Sequence, residues 1–257
     1  MSRLATSGDV PIATLPCEGG GHIAYRRRDG TEPGLLFLGG FRSDMSGTKA
    51  TALEDFAAAT GRACTRFDYR GHGASSGRFE ELTFGEWVED GLGVLDRVTE
   101  GPQILIGSSM GAWVALRLAL RRPERVAGLV TLAAAPDFTE ELIWARLDER
   151  QRQRMRTDGR IERPSAYSAQ PDILTLRLVE EGRRHLVLGG PIATACPVRL
   201  LHGTADADVP WQISLRLLER IESADARLTL IKGGDHRLSE PPQIDAMLAA
   251  VAELATR

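Results

Sequence analysis

The stretch from Gln103 to Leu120 constrains this chain more than any other. An apolar run, Gln103-Ile104-Leu105-Ile106, meets the pentad Gly107-Ser108-Ser109-Met110-Gly111, and an alanine- and leucine-rich pattern of helical spacing follows without a linker. Strand, sharp turn and helix are predicted in that order, with Ser109 held out above the C-terminal edge of a sheet. Glycines two positions to either side of Ser109 suit such a turn, because a Cβ at either would crowd the neighbouring strand or helix. The Ser109 hydroxyl then lies at the positive end of the helix, and the Met110 N–H points to where an oxyanion would form. The competing reading of the pentad alone is a glycine-rich turn with a surface serine, so the rest of the chain has to decide.

Upstream, apolar runs and helical patterns alternate. His22 to Tyr25 predicts a short strand before an Arg26–Gly30 turn, an early antiparallel hairpin. Gly34 to Leu38 is a second strand, followed by a loop, Gly39 to Gly47, too rich in glycine for an ordinary connection. Acyl transfer needs two preorganised N–H donors, one of them from a loop leaving a neighbouring strand. The Phe41 N–H is the candidate here, with Gly40 and Arg42 beside it as candidate substrate contacts. A helix from Thr48 to Thr60 closed by Gly61, a strand from Ala63 to Phe67, a helix from Thr83 to Val98 and a strand from Val126 to Leu132 complete this part. His72, in a loop before Ser109, reads as structural. The alternation predicts an α/β protein whose mostly parallel central sheet carries helices on both faces through right-handed crossovers.

The rhythm breaks between Asp137 and Pro191. Helical pieces are expected at Glu140–Met155 and Ile173–Arg183, with no clear buried strand before Val198, and the segment reads as a small helical lid. The organisation expected is a core from 1–136, a lid insertion at 137–191 and the second part of the core from 192–257. Six arginines against two acids between Arg150 and Arg163 read as a solvated helix face. Leu142, Trp144 and Leu147 are candidates to line an acyl pocket, and His185 reads as incidental. The sheet resumes at Val198–Leu201, whose end carries His202-Gly203-Thr204-Ala205-Asp206-Ala207-Asp208-Val209-Pro210. A helix follows from Trp211 to Ile221, with Trp211 a further candidate substrate contact. Leu228–Ile231 is the last strand, ending in Lys232-Gly233-Gly234-Asp235-His236-Arg237, and Gln243–Leu254 the last helix.

A serine hydroxyl needs a base within hydrogen-bond reach and a third group to fix the base's tautomer. Of the five histidines only His236 follows the Asp206 loop, and both loops sit at strand C-terminal ends, where open α/β sheets bind ligands. Ser109, Asp206 and His236 are therefore the expected triad. Asp206 is preferred to Asp208, which is placed to cap the helix starting near Trp211. The expected reaction is cleavage of a carboxylic ester or thioester through an acyl-enzyme, with no metal and no organic cofactor.

Composition removes other classes. A net charge of −3 gives no overall attraction to nucleic acid or to an anionic membrane surface. Cys17, Cys64 and Cys196 are odd in number, far apart and without Cys-x-x-Cys spacing, which argues against a disulfide framework and against a zinc site. No apolar run is long enough to span a bilayer, and residues 1–15 lack the pattern of a secretory signal, so a cytoplasmic setting is expected.

The pentad, His202-Gly203 with Asp206 and Val209-Pro210, and Asp235-His236 together resemble the α/β-hydrolase superfamily. Gly47-Thr48-Lys49-Ala50, Arg66-Phe67-Asp68-Tyr69, Gly101-Pro102-Gln103-Ile104-Leu105, Arg199 to Gly203 and Val209-Pro210-Trp211 resemble, more narrowly, its acyl-protein thioesterase and acyl-glucuronide esterase branch known from mitochondria, from about Leu36 to the C-terminus. The resemblance implies hydrolysis of thioesters such as S-palmitoyl cysteine, or of acyl-glucuronide esters, and places the triad on Ser109, Asp206 and His236. The substrate expected is a small acyl ester or thioester, or an acylated protein. Alternatives on the same residues are a small-molecule carboxylesterase or lactonase, and, in a different class, a catalytically idle hydrolase fold used for binding.

Overall fold

The computed structural model describes residues 10–164 and 171–256. The chain runs through β1 (Ala13–Pro16), β2 (His22–Arg28), β3 (Thr31–Leu38), α1 (Thr48–Thr60), β4 (Arg62–Phe67), α2 (Phe84–Arg97), β5 (Gln103–Ser108), α3 (Met110–Arg121) and β6 (Val126–Leu132). It continues through α4 (Glu149–Asp158), β7 (Arg160–Arg163), β8 (Asp172–Thr175), α5 (Leu176–Gly182), β9 (Val198–Gly203), α6 (Gln212–Arg220), β10 (Ala226–Ile231) and α7 (Pro241–Ala255).

Eight strands form one sheet in the order β1-β2-β4-β3-β5-β6-β9-β10. The pairs from β4 through β10 are parallel, while β1–β2 and β2–β4 are antiparallel. Alternate side chains of the central strands divide the core into two layers, as a period of two requires. Leu35, Phe37, Ile104, Ile106, Val130 and Leu132 face α1 and α7, where Leu53, Ala57, Met247 and Val251 meet them. Leu36, Leu38, Leu105 and Leu129 face the opposite layer, with Trp87, Leu95, Trp113 and Leu116 from α2 and α3. Both faces being covered explains why these strands read as unbroken apolar runs.

Local chemistry sets the ends of the helices. Gly61 closes α1 in the left-handed region at φ 69°, its N–H bonding the Ala57 carbonyl. Thr83 and Glu86 form a capping box at the start of α2, the Thr83 N–H reaching Glu86 Oε2 at 2.9 Å.

Several expectations change. The turn expected at Arg26–Gly30 is mostly strand: β2 continues to Arg28 against β4, with Arg27 paired to Glu100 at 2.8 Å and Arg28 to Glu54 at 2.7 Å. Its partner in the early hairpin is β1. The helix expected over Glu140–Met155 is broken into a wide turn at Thr139–Ile143, a tight turn at Trp144–Arg146 and α4. Asp148 causes the restart, accepting the Gln151 N–H at 2.7 Å while its own N–H reaches the Gln151 side chain at 2.9 Å. The segment 137–191 is also not purely helical, because β7 and β8 form an antiparallel pair and the helix expected from Ile173 begins only at Leu176. The N-cap position of α6 is Trp211, whose side chain makes no capping bond, and Asp208 stands three residues before it.

Candidate active site

Ser109 sits between β5 and α3 at φ 53° and ψ −117°, a conformation that L-residues rarely adopt. The turn is held from the β6 side, with the Ser109 N–H bonding the Leu132 carbonyl at 2.9 Å and the Ala135 N–H bonding the Ser109 carbonyl at 3.2 Å. The flanking glycines are required by contact. A Cβ on Gly107 would lie 2.6 Å from the Ala112 Cα, and one on Gly111 would lie 2.1 Å from the Leu38 carbonyl oxygen. Residues constrained this tightly into an unfavourable region cluster at active sites.

The three expected residues meet. His236 Nε2 lies 3.0 Å from Ser109 Oγ, and His236 Nδ1 lies 2.8 Å from Asp206 Oδ2. A carboxylate only accepts, so Nδ1–H donates to Asp206 and Nε2 is left to accept the serine proton. The Asp206 side chain is 0% exposed and that of His236 16% exposed. The second oxygen of Asp206, Oδ1, accepts the backbone N–H groups of Asp208 at 2.9 Å and Val209 at 2.8 Å. Burial opposes its charge, but hydrogen bonds from His202 and His236, the His236 charge and the Val209 N–H outweigh it and hold the carboxyl well below the usual carboxylate range.

A cavity of about 690 Å³ opens beside Ser109. Ser109, Met110, Gly40, Phe41, Arg42, Asp208 and His236 all line it. Gly40 brings its loop to the turn: a Cβ there would stand 3.4 Å from both the Ser108 carbonyl oxygen and the Ser109 Cβ. The Phe41 ring anchors that loop edge-on between Phe79 at 4.7 Å and Phe138 at 5.6 Å. Arg42 stacks over Phe79 at 4.3 Å, and its Nε lies 3.1 Å from Asp172 in β8. Phe138, Leu142, Ile143, Arg146, Arg163, Pro164 and Asp172 supply the opposite wall from the segment 137–191.

Three expected contacts are not in this wall. The Trp144 ring is instead surrounded by the guanidinium groups of Arg152, Arg156 and Arg183 at 5.7, 5.3 and 5.0 Å, because the break before Asp148 folds α4 back over it. Trp211 precedes the first residue of α6 and does not line the cavity. Leu147 does not reach it either, whereas Leu142 does. The arginine run divides, with Met155 the buried residue of α4 and Arg163 alone of the six lining the cavity. His72 is structural as expected: burial lowers it to about 4, and its ring packs against Phe79 and Trp87.

Lys49 and His202 were not singled out from the sequence. Lys49 lines the cavity and reaches from α1 to the carbonyl of Arg237, next to His236; burial lowers its ammonium to about 8. His202 lies at the end of β9 with Nε2 3.1 Å from Asp206 Oδ2. Its place immediately before the strand-end glycine was the available signal. Asp206, Asp208 and His236 form the one cluster of possible metal-binding side chains among the described residues. Both Asp206 oxygens are already taken by N–H donors, which is the arrangement of a hydrogen-bond relay rather than an ion cage.

The chain belongs to the alpha/beta hydrolase family, whose family model matches residues 35–254, and it is a hydrolase. Within that family it is similar to the mitochondrial palmitoyl-protein thioesterase ABHD10 of Mus musculus, with 41% identity over 234 residues, 91% of this chain and 78% of the relative. The solved structure of alpha/beta hydrolase domain-containing protein 10 from mouse superposes with a TM-score of 0.89 at 38% identity, covering 95% of this chain and 98% of that one. A protein of Agrobacterium vitis S4, described as a hydrolase, superposes with a TM-score of 0.90 at 43% identity, covering 95% of this chain and 99% of that one. No helix among the described residues is long and apolar enough to cross a membrane.

Proposed function

We propose that this chain is a serine hydrolase that cleaves acyl thioesters, and carboxylic esters of similar shape, through an acyl-enzyme, with acylated proteins as its first substrate class. The observation that carries the reading is the continuous relay from Ser109 Oγ through His236 to the buried Asp206 carboxylate, with steps of 3.0 and 2.8 Å. The thioesterase relatives, similar over most of the chain, support the thioester as the bond cleaved.

Ser109 Oγ attacks the acyl carbonyl while His236 Nε2 takes its proton, and Asp206 stabilises the imidazolium through Nδ1–H. The N–H groups of Phe41 and Met110 hold the oxyanion. The tetrahedral intermediate collapses, the thiol or alcohol leaves with the proton from His236, and water attacks the acyl-enzyme by the same route in reverse roles. Residues 137–191 act as the lid, bringing Leu142, Ile143 and Phe138 over the acyl group. Each step is a proton or acyl transfer that these side chains supply, so the mechanism needs no cofactor. A cytoplasmic setting is proposed with it, and free thiols at Cys17, Cys64 and Cys196 fit a reducing compartment.

The test is hydrolysis of acyl thioesters and p-nitrophenyl esters from acetyl to palmitoyl by wild type and Ser109→Ala. Activity that rises with chain length on thioesters, and falls by more than about a hundredfold in the variant, is expected. Retained turnover in Ser109→Ala would overturn the nucleophile, and a folded wild type that hydrolyses nothing and ignores a fluorophosphonate probe would point to an idle binding fold. A second reading, acyl-glucuronide hydrolysis, is favoured by the excess of cations in the cavity wall, Arg42, Lys49, Arg146, Arg163 and Arg237 against Asp44, Asp172 and Asp208, which suits a substrate carboxylate even with Arg42 paired to Asp172. Preference for short esters without an acid group would indicate a small carboxylesterase or lactonase instead.

A further inference from the structure

The relay does not stop at Asp206. We infer that His202 and Ser214 extend it as a positioning pair, in which Ser214 fixes the His202 tautomer and His202 fixes the Asp206 oxygen that holds the base. The inference rests on the serine-hydrolase reading above. His202 Nε2 lies 3.1 Å from Asp206 Oδ2, the oxygen that also receives His236 Nδ1. On the other side of the ring, His202 Nδ1 lies 2.7 Å from Ser214 Oγ on α6. His202 and Ser214 are both 0% exposed.

The hydrogen-bond directions follow from the partners. Oδ2 of the carboxylate and the Val209 carbonyl, 3.0 Å away, are both acceptors, so Nε2 carries a proton and is shared between them. In the tautomer with its proton on Nε2, Nδ1 faces the Ser214 hydroxyl as the acceptor, 2.7 Å away. Asp206 thereby receives four N–H groups, two on each oxygen, and its carboxylate has no freedom to rotate away from His236. Two imidazoles share one oxygen. The N–H of His202 competes with that of His236 for Oδ2, so the two rings are set against one another through a single acceptor. The same pair ties α6 and β9 to the reacting atoms, which a buried histidine serving packing alone would not require.

Other charges face His236 and must be held constant in any test. Asp208 has a carboxylate oxygen within 4.8 Å of the cluster it forms with Asp206 and His236. Lys49 reaches the Arg237 carbonyl from α1, Asp235 precedes the histidine, and Arg146 bonds the Asp208 carbonyl from the facing segment. None is altered by substitution at 202 or 214.

The experiment compares wild type, His202→Leu, His202→Gln, Ser214→Ala and Ser109→Ala on one thioester, with folding checked by circular dichroism and melting. Gln places an N–H donor where Nε2 stood, whereas Leu removes it. His202→Leu is expected to lose kcat on the order of tenfold or more with KM nearly unchanged, and its acid limb of kcat/KM moves to higher pH as His236 gains the whole of Oδ2. His202→Gln restores most of the loss. Ser214→Ala, which removes a single oxygen and serves if His202→Leu does not fold, shifts the acid limb in the same direction to a smaller extent. Wild-type kcat and an unmoved acid limb in folded His202→Leu, or in Ser214→Ala where Leu does not fold, overturn the inference. Full activity in Ser109→Ala overturns the serine nucleophile on which the relay reading rests, whatever the other variants do.

Discussion

Replacing Ser109 by glycine and by alanine measures the strain in the turn directly. Both variants lose the serine hydroxyl and its bond to His236 Nε2, so that loss cancels between them. Alanine keeps a Cβ at φ 53° and ψ −117°, while for glycine this is the mirror image of a broadly allowed region. Relief of such a conformation is worth about 1–3 kcal/mol. Against it stands the extra freedom of glycine in the unfolded chain, about 0.5–1 kcal/mol. Glycine is therefore expected to be the more stable variant, by as much as about 2.5 kcal/mol, although at a relaxed position it would be the less stable one. Urea unfolding followed through the buried Trp87 and Trp113 gives the difference, provided the two m-values agree. A glycine variant no more stable than the alanine variant would refute the argument that the fold stores strain at Ser109.

Gly111→Ala places a Cβ 2.1 Å from the Leu38 carbonyl oxygen; because that atom is backbone, α3 must move off β3, and a loss of about 3 kcal/mol or more is expected, with an unchanged melting temperature counting against it. Asp206 titrates lower in the folded chain than in the unfolded one, so it contributes stability above the ordinary carboxylate value that is lost as the pH falls through the folded value. Asp206→Asn should accordingly show a shallower fall in urea midpoint below about pH 4, and parallel pH profiles would remove the linkage. Burial pushes the thiols of Cys17, Cys64 and Cys196 up, Cys196 to about 11. All three should therefore label slowly with Ellman's reagent in folded protein at neutral pH and rapidly in urea; fast labelling of native protein would contradict this.

The sheet and the relay were legible in the sequence because both rest on local pattern and chain order. Central strands such as Leu35–Leu38 and Ile104–Ile106 are buried on both faces and so read as apolar runs, and Ser109, Asp206 and His236 each follow a strand at one edge. What was not legible depends on distant partners. Arg26–Arg28 looks like a turn until Glu54 and Glu100 are placed beside it. Trp144 looks like a pocket residue until Arg152, Arg156 and Arg183 enclose its ring. The break before α4 was within reach, since Asp148 and Gln151 stand at capping-box spacing; helical periodicity running across it concealed the signal. His202 stands before the strand-end glycine, which marks its place in the sequence, but its partner on the far side of the ring is known only when α6 brings Ser214 there.

The cavity beside Ser109 has two sides of different ancestry in the chain. Ser109, Phe41 and His236 lie on loops anchored in the sheet and Met110 opens α3, whereas Leu142, Ile143, Arg146, Arg163 and Asp172 come from a single continuous excursion between β6 and β9. Substitutions confined to that excursion can reshape the opening while leaving the Ser109–His236–Asp206 geometry as it is. Exchanging that excursion as one segment would therefore replace the ceiling of the cavity while leaving its floor in place.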